Sequence, residues 1–326
     1  MKSIIKKAAA FCLSALTIFG AASCGSNDGP QKTKIGVLVA DDSGEEALGF
    51  KNYLQNYVAK QYNVEFVYSA KLEDEATAKT TTETFVGQNC KAIIDMADKG
   101  RRELANYCNE NKVYYAIGSG VMADADWEAC KSLEYYVGQI GPSNSEEYKA
   151  GLAMGQAYAS KTKIGLYGAF VPNPMHLYRL AGVITGLGNN YGGVTGEAIV
   201  GKVFSEGATF DAAKVAGPVE VKYFAGFDPD TIYGTLGAIL GEGVESVLSV
   251  GMATTFFADM LNQAHMEYTD IDSFTAANGT NMKDGSLKYL TGKYSSSLGP
   301  IFAAIKRAVD GNALRDNGNA INLSKG

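Results

Sequence analysis

Short apolar runs alternate along the chain with stretches whose apolar residues recur every three to four positions. Residues 34–40 form the first run. It ends in Asp41-Asp42-Ser43-Gly44, a turn and helix-start signal, and Phe50, Tyr53, Leu54, Tyr57 and Val58 follow at helical spacing. Residues 64–68, 91–96, 113–117 and 135–138 predict further strands, with a polar helix over 75–88 and another reaching Asn109. The pattern then restarts. A helix near 146–160 precedes a strand at 163–168, a loop holding Pro172 and Pro174, and a helix through Leu187. Residues 219–224 and 246–250 read as strands, followed by helices over 229–240 and up to His265. Strands are also expected at 194–204 and 272–277.

Alternation of this kind predicts an α/β protein with parallel sheets covered by helices on both faces. Two successive sets predict two doubly wound lobes. Ligands of such sheets sit beyond the carboxyl ends of the strands, so the loops starting at Asp41, Met96, Gly118, Ala169, Ala225, Gly251 and Asn278 are expected to converge on one cleft.

The N-terminus departs from this pattern. Lys2, Lys6 and Lys7 precede an apolar stretch over 8–20, too short to span a bilayer comfortably. Ala21-Ala22-Ser23-Cys24 then resembles a bacterial lipobox, with Ala21 where leucine is usual. Residues 1–23 are read as a lipoprotein signal peptide, Cys24 as the lipidated residue, and 24–33 as a polar tether. The alternative is an ordinary secretory signal cut near Ala22 or Ser23. Either way the protein is exported, to the periplasm or the outer face of the cytoplasmic membrane.

Formal net charge is −6, and loss of the signal removes three lysines and no acid. With no basic stripe, nucleic acid is not an expected partner. Of five cysteines, Cys90, Cys108 and Cys130 remain after Cys12 and Cys24 are set aside. Three allow at most one internal disulfide, and buried free thiols are the simpler reading. His176 and His265 are the only histidines, no HExxH or GxSxG occurs, and no metal, cofactor or catalytic residue is expected. Residues 196–202 have phosphate-loop spacing, but Val203 stands where the Mg²⁺-binding hydroxyl belongs. Asp41-Asp42 and Glu45-Glu46 fit helix capping better than acid–base catalysis.

Several motifs, in order, resemble the BMP family of basic membrane lipoproteins, in the type I periplasmic-binding-protein superfamily. They are Asp41 with Phe50 nine positions on; residues 162–168, then Arg179, Gly182 and Gly186; residues 221–229; residues 242–247 leading to Gly251; and Leu298-Gly299-Pro300 before a helix. The resemblance implies two lobes joined by a multi-crossover hinge with the ligand cleft between them. The first lobe would comprise 34–138 and 288–314, the second 139–287 and 315–326. It also implies a nucleoside ligand, with Phe50 and Phe227 against the base, Asp41 approaching from the first lobe, and Gly251 admitting close backbone approach. Asp42, Met96, Ser119, Arg179, Met252 and Asn278 complete the candidate set. The chain departs from the family at Gly118 and Asn278, where aspartate is usual, and at Ser296, where lysine is usual and Lys293 lies nearby. Sugar-binding relatives carry Asn-Asp where this chain has Gly251-Met252.

Two aromatic faces, each contributing about 1–3 kcal/mol, and a carboxylate contributing about 1.5–3 kcal/mol would support micromolar binding. Phe50 also fits simple core packing, Asp41 a helix cap, and Arg179 a surface salt bridge. The expected function is a monomeric, non-catalytic solute-binding lipoprotein that delivers a nucleoside or similar ring-shaped polar ligand to an ABC permease. A sugar ligand, a role as a sensor subunit feeding a membrane signalling protein, and an exported enzyme are the alternatives.

Overall fold

A computed structural model of the chain describes residues 31–324 except 41, 44, 169–173, 227 and 273. The segment read as a signal peptide, Cys24, Asp41 and Phe227 therefore lie outside the described residues.

In chain order the first half runs β1 (Thr33–Val39), α1 (Glu45–Asn52) continuing through a π-helical stretch (Tyr53–Val58) into α2 (Ala59–Gln61), β2 (Val64–Lys71), α3 (Glu75–Gly87), β3 (Ala92–Met96), α4 (Arg101–Glu110), β4 (Tyr114–Ile117), α5 (Asp124–Cys130) and β5 (Tyr136–Gln139). The second half runs α6 (Asn144–Tyr158), β6 (Lys163–Tyr167), α7 (Pro174–Gly186), β7 (Asn190–Tyr191), α8 (Ala198–Ser205), β8 (Val215–Ala216), β9 (Glu220–Phe224), α9 (Pro229–Gly241), β10 (Ser246–Ser249), α10 (Ala253–Phe256), α11 (Ala258–Gln263), β11 (Tyr268–Ile271), α12 (Ala276–Asp284) and β12 (Leu287–Thr291). The chain then returns as α13 (Leu298–Val309) and β13 (Ile321–Asn322).

Local chemistry explains the helix starts. Asp74 and Ser143 close capping boxes on α3 and α6, and Asp228 caps α9 ahead of Pro229. The strands are short and almost continuously apolar, as sheets covered on both faces require. One parallel sheet has the order β13-β5-β4-β3-β1-β2, the other β12-β11-β10-β6-β9. Each is buried on both faces. In the first lobe, α1, its π-helical continuation and α13 close one face, and α3, α4 and α5 the other. In the second, α6, α7 and α8 oppose α9, α10 and α11.

Helices α6 and α7 touch through their backbones. A Cβ on Gly182 would lie 2.1 Å from the Tyr148 carbonyl oxygen, and one on Gly151 would lie 2.1 Å from the Arg179 carbonyl oxygen. Only hydrogen fits there.

Three expectations change. The segment expected as a strand over 194–204 instead forms α8, with Ile199, Val200 and Val203 buried on one face. This helix takes in all but the first two residues of the near-miss phosphate loop and buries the valine at its key position. The strand expected at 272–277 is instead β11, and Thr275 then caps α12. The lobe division also shifts. β12, expected in the first lobe, pairs with β11 in the second, whereas the tail expected in the second lobe pairs Ile321 with Gly138 and Asn322 with Gln139 in the first sheet. Cys90, Cys108 and Cys130 are buried free thiols. No helix among the described residues is long and apolar enough to cross a membrane.

Candidate functional site

In the first sheet the chain leaves β1 toward β2 on one side and returns as β3 on the other. The carboxyl ends of β1 and β3 thus flank a topological switch point, where open α/β sheets leave a crevice. A cavity of about 150 Å³ occupies it. Val39 and Ala40 come from the end of β1, Met96 from the end of β3, Ser119 from beyond β4, and Phe50 and Leu54 from the helix after β1. Of the residues proposed from sequence, Asp42, Phe50, Met96 and Ser119 meet here.

The floor is apolar and the rim polar. Phe50 belongs to the first-lobe core and also walls the cavity, so both sequence readings of it describe part of its role. Lys293 enters from the crossover after β12. Its Nζ lies 2.9 Å from Glu46 Oε1, donates to Ser119 Oγ at 2.9 Å, and stands 5.5 Å from the centre of the Phe50 ring. One ammonium thus ties the crossover to two first-lobe elements. The β1 ladder shifts register between Val37 and Val39, and the Val39 N–H donates to Ser69 Oγ at 3.0 Å. Tyr68 lines the same cavity, and its hydroxyl is buried with no hydrogen-bond partner among the described residues. Burial raises its pKa. Buried hydroxyls are nearly always paired, so this one is suited to a ligand hydroxyl.

Behind this cavity Arg101 braces the loop after β4. Its Nη2 donates to the Ser119 carbonyl at 2.5 Å and Nη1 to the Val121 carbonyl at 2.8 Å, while Nε faces Asp95 Oδ2 at 3.7 Å. Asp95 also accepts from the Tyr115 hydroxyl at 2.5 Å and the Ala97 N–H at 2.7 Å. Complete burial nevertheless pushes its carboxyl above the usual range, with Arg101 opposing.

The second lobe repeats the device. Arg179 Nη1 donates to the Val250 carbonyl at 2.7 Å and the Ile271 carbonyl at 3.0 Å, at the carboxyl ends of β10 and β11. Its Nε and Nη2 pair with the buried Glu147 carboxylate. All but one of its N–H donors are therefore engaged by the protein itself. This corrects the reading of Arg179 as a surface ion pair: the pair is buried, and the guanidinium braces the strand ends.

Gly251 lies against that brace, where a Cβ would come within 2.9 Å of the His176 ring. Met252 takes the left-handed conformation at the start of α10. Asn278 is not at a strand end; it lies buried in α12 and accepts from Thr254 Oγ1. Asp270 is fully buried and accepts from Ser249 Oγ and the Ala253 N–H, each at 2.8 Å. Burial, and then the nearby Asp272, push its carboxyl above the usual range. These second-lobe candidates shape the strand ends but do not line the first-lobe cavity. Among the described residues no His/Cys/Asp/Glu group could hold a metal.

The sequence reading missed Glu46, Tyr68, Ser69 and Lys293 as site residues. Glu46 lies one turn before Phe50 on the same helix, so periodicity places it on the same face. The sequence marks Lys293 only as lying near the family's lysine position; its place at the site follows from 287–291 being a second-lobe strand.

No protein-family model matches the chain, and no curated protein matches it. Solved structures do. An ABC transporter periplasmic solute binding protein from Actinobacillus succinogenes, with bound D-allose, superposes with a TM-score of 0.64 at 11% identity, covering 87% of this chain and 93% of that one. An ABC transporter solute binding protein from Bacillus halodurans, with bound myo-inositol, gives 0.60 at 17% identity, covering 91% and 94%. The transcription regulator CcpA of Lactococcus lactis gives 0.57 at 10% identity, covering 89% and 96%. The two-lobed frame is the type I periplasmic-binding-protein fold, as the sequence led us to expect.

Proposed function

We propose that the chain is an extracytoplasmic solute receptor of an ABC importer, tethered through lipid on Cys24, that closes its lobes on a small polyhydroxylated ring such as a monosaccharide or cyclitol. The carrying observation is a cavity with an apolar floor and a rim of Lys293, Glu46 and Ser119, lined also by Tyr68, whose buried hydroxyl has no partner among the described residues. A sugar ring has the complementary character: C–H faces for Phe50 and Met96, and hydroxyls for the charged rim. Hydrogen bonds to charged groups contribute about 1.5–3 kcal/mol each, enough with ring burial for micromolar affinity after ordering costs.

The polar rim and the receptors of this fold with bound D-allose and myo-inositol favour this reading over the nucleoside expected from sequence. A cavity of about 150 Å³ is the size that holds one six-membered ring. The likeness to a transcription regulator keeps a signalling role as the second reading, because one fold serves both uses.

The test is a thermal-shift and calorimetric screen of the chain from Gly25 against hexoses, pentoses, cyclitols and nucleosides. Binding to the native state raises stability by about 2.7 kcal/mol at a hundredfold excess over Kd. A shift with a sugar or cyclitol, lost in Lys293→Met, supports the proposal. A shift with nucleosides alone replaces the ligand class, and no shift with any of them removes the carbohydrate reading.

A further inference from the structure

We infer that the groove between the lobes, beside the cavity, is a second ligand subsite, so that the receptor takes two linked rings: a disaccharide or other glycoside. This rests on the carbohydrate reading above and extends it.

The groove has a volume of about 610 Å³ and shares Glu46, Phe50 and Lys51 with the lining of the cavity, so the two spaces adjoin. A single ring held in the cavity would leave the larger space to water. One wall is the helix after β1, which presents the amides of Asn52 and Asn56 one turn apart. Amides supply both donors and acceptors, which sugar hydroxyls need. Along this wall the helix passes into its π-helical stretch, where the Ala59 N–H bonds to the Leu54 carbonyl, five residues back. Such π-turns are rare and occur frequently at functional sites.

The opposite wall is Phe274. Its ring stacks on Tyr294 at a centroid distance of 4.2 Å and an interplanar angle of 11°, and its N–H donates to the Lys293 carbonyl at 3.0 Å. The platform is thus held in place before any ligand arrives, which lowers the ordering cost of binding. Gly49, inside α1, faces Ser295 across the groove floor, where a Cβ would lie 3.7 Å from the serine Cβ. Glycine is unfavourable in a helix interior, and here it keeps the floor low. Amides on one side, a fixed aromatic on the other and a shared wall with the first ring make a sugar-sized continuation of the site.

The experiment is isothermal titration calorimetry of the whole receptor chain. The ligands are D-glucose, D-galactose, D-allose and myo-inositol, then maltose, cellobiose, lactose and melibiose. A disaccharide carrying a bound hexose is expected to bind about tenfold tighter than that hexose, the gain of one aromatic platform with its hydrogen bonds. Phe274→Ala removes that gain and leaves hexose affinity within about threefold. Ala276→Trp does the same by filling the groove from the exposed start of α12, a check independent of any folding defect in Phe274→Ala. The inference is overturned if hexoses bind and disaccharides bind no tighter, or if the gain survives both substitutions. If no sugar of either length binds, the carbohydrate reading fails and this inference with it.

Discussion

His176 provides a test of how the second lobe treats charge. The residue is only 5% exposed, and its Nδ1 has no hydrogen-bond partner among the described residues. Burial, and then the Arg179 guanidinium beside it, push its pKa down from 6.5 to about 3. The unfolded chain therefore takes up a proton below pH 6.5 that the native chain refuses. Stability from the neutral imidazole is fully present above 6.5 and is lost as the pH falls toward 3, at about 1.4 kcal/mol per pH unit. At pH 5 the loss is about 2 kcal/mol, a figure that needs only a native pKa well below 5. Asp95 and Asp270 act with the opposite sign. Their raised native pKa values favour the fold at low pH, and that contribution fades as the pH rises through them. The raw pH profile mixes these effects, whereas the difference between wild type and His176→Gln isolates the histidine. Urea unfolding of both proteins at pH 7.5 and pH 5 is the assay. Wild type should lose about 2 kcal/mol more than the variant between the two conditions. Parallel losses, within about 0.5 kcal/mol, would refute the claim that the ring is held neutral by burial.

Other outcomes follow from the same geometry. Arg179→Met should destabilise the second lobe by about 3–5 kcal/mol, because it leaves the Glu147 carboxylate buried and the Val250 and Ile271 carbonyls unpaired; chemical denaturation checks it. Tyr68→Phe should weaken sugar binding about tenfold without lowering the stability of the unliganded protein, since the hydroxyl has no internal partner; loss of stability instead would show that the hydroxyl is structural. Lys293→Met should abolish detectable ligand binding in calorimetry yet lower stability by only about 1–2 kcal/mol, because its ion pair with Glu46 is partly exposed. Gly182→Ala should force α6 and α7 apart and cost about 1–3 kcal/mol, read as a lowered urea midpoint.

The alternation of strands and helices, and with it the two-lobed α/β class, was legible in the sequence because covered parallel strands must be short and apolar while their helices keep a 3.6-residue stripe. The helices expected over 75–88 and 229–240 begin where expected, and the structure adds the reason: Asp74 and Asp228 accept from the first free N–H groups. In the first lobe Asp42, Met96 and Ser119 line the cavity because strand ends and the first turn beyond them are fixed by chain order, whereas Phe50 is put forward only by the family resemblance. Local pattern misled where tertiary contacts override it. Residues 198–205 carry strand-like side chains, yet they bury one helical face against α7. Ile321 and Asn322 are too short a run to declare which sheet they join, and pairing with Gly138 and Gln139 decides it. Arg179 could be read as a surface ion pair until the fold buried it with Glu147 against two strand-end carbonyls. Lys293 meets Glu46 and Ser119 from residues far apart along the chain, and only the crossover between the lobes brings its ammonium to theirs. A sequence encodes periodicity and local hydrogen bonding directly, whereas partners distant along the chain are chosen by how whole elements pack, and the polar rim of this site is made of such partners.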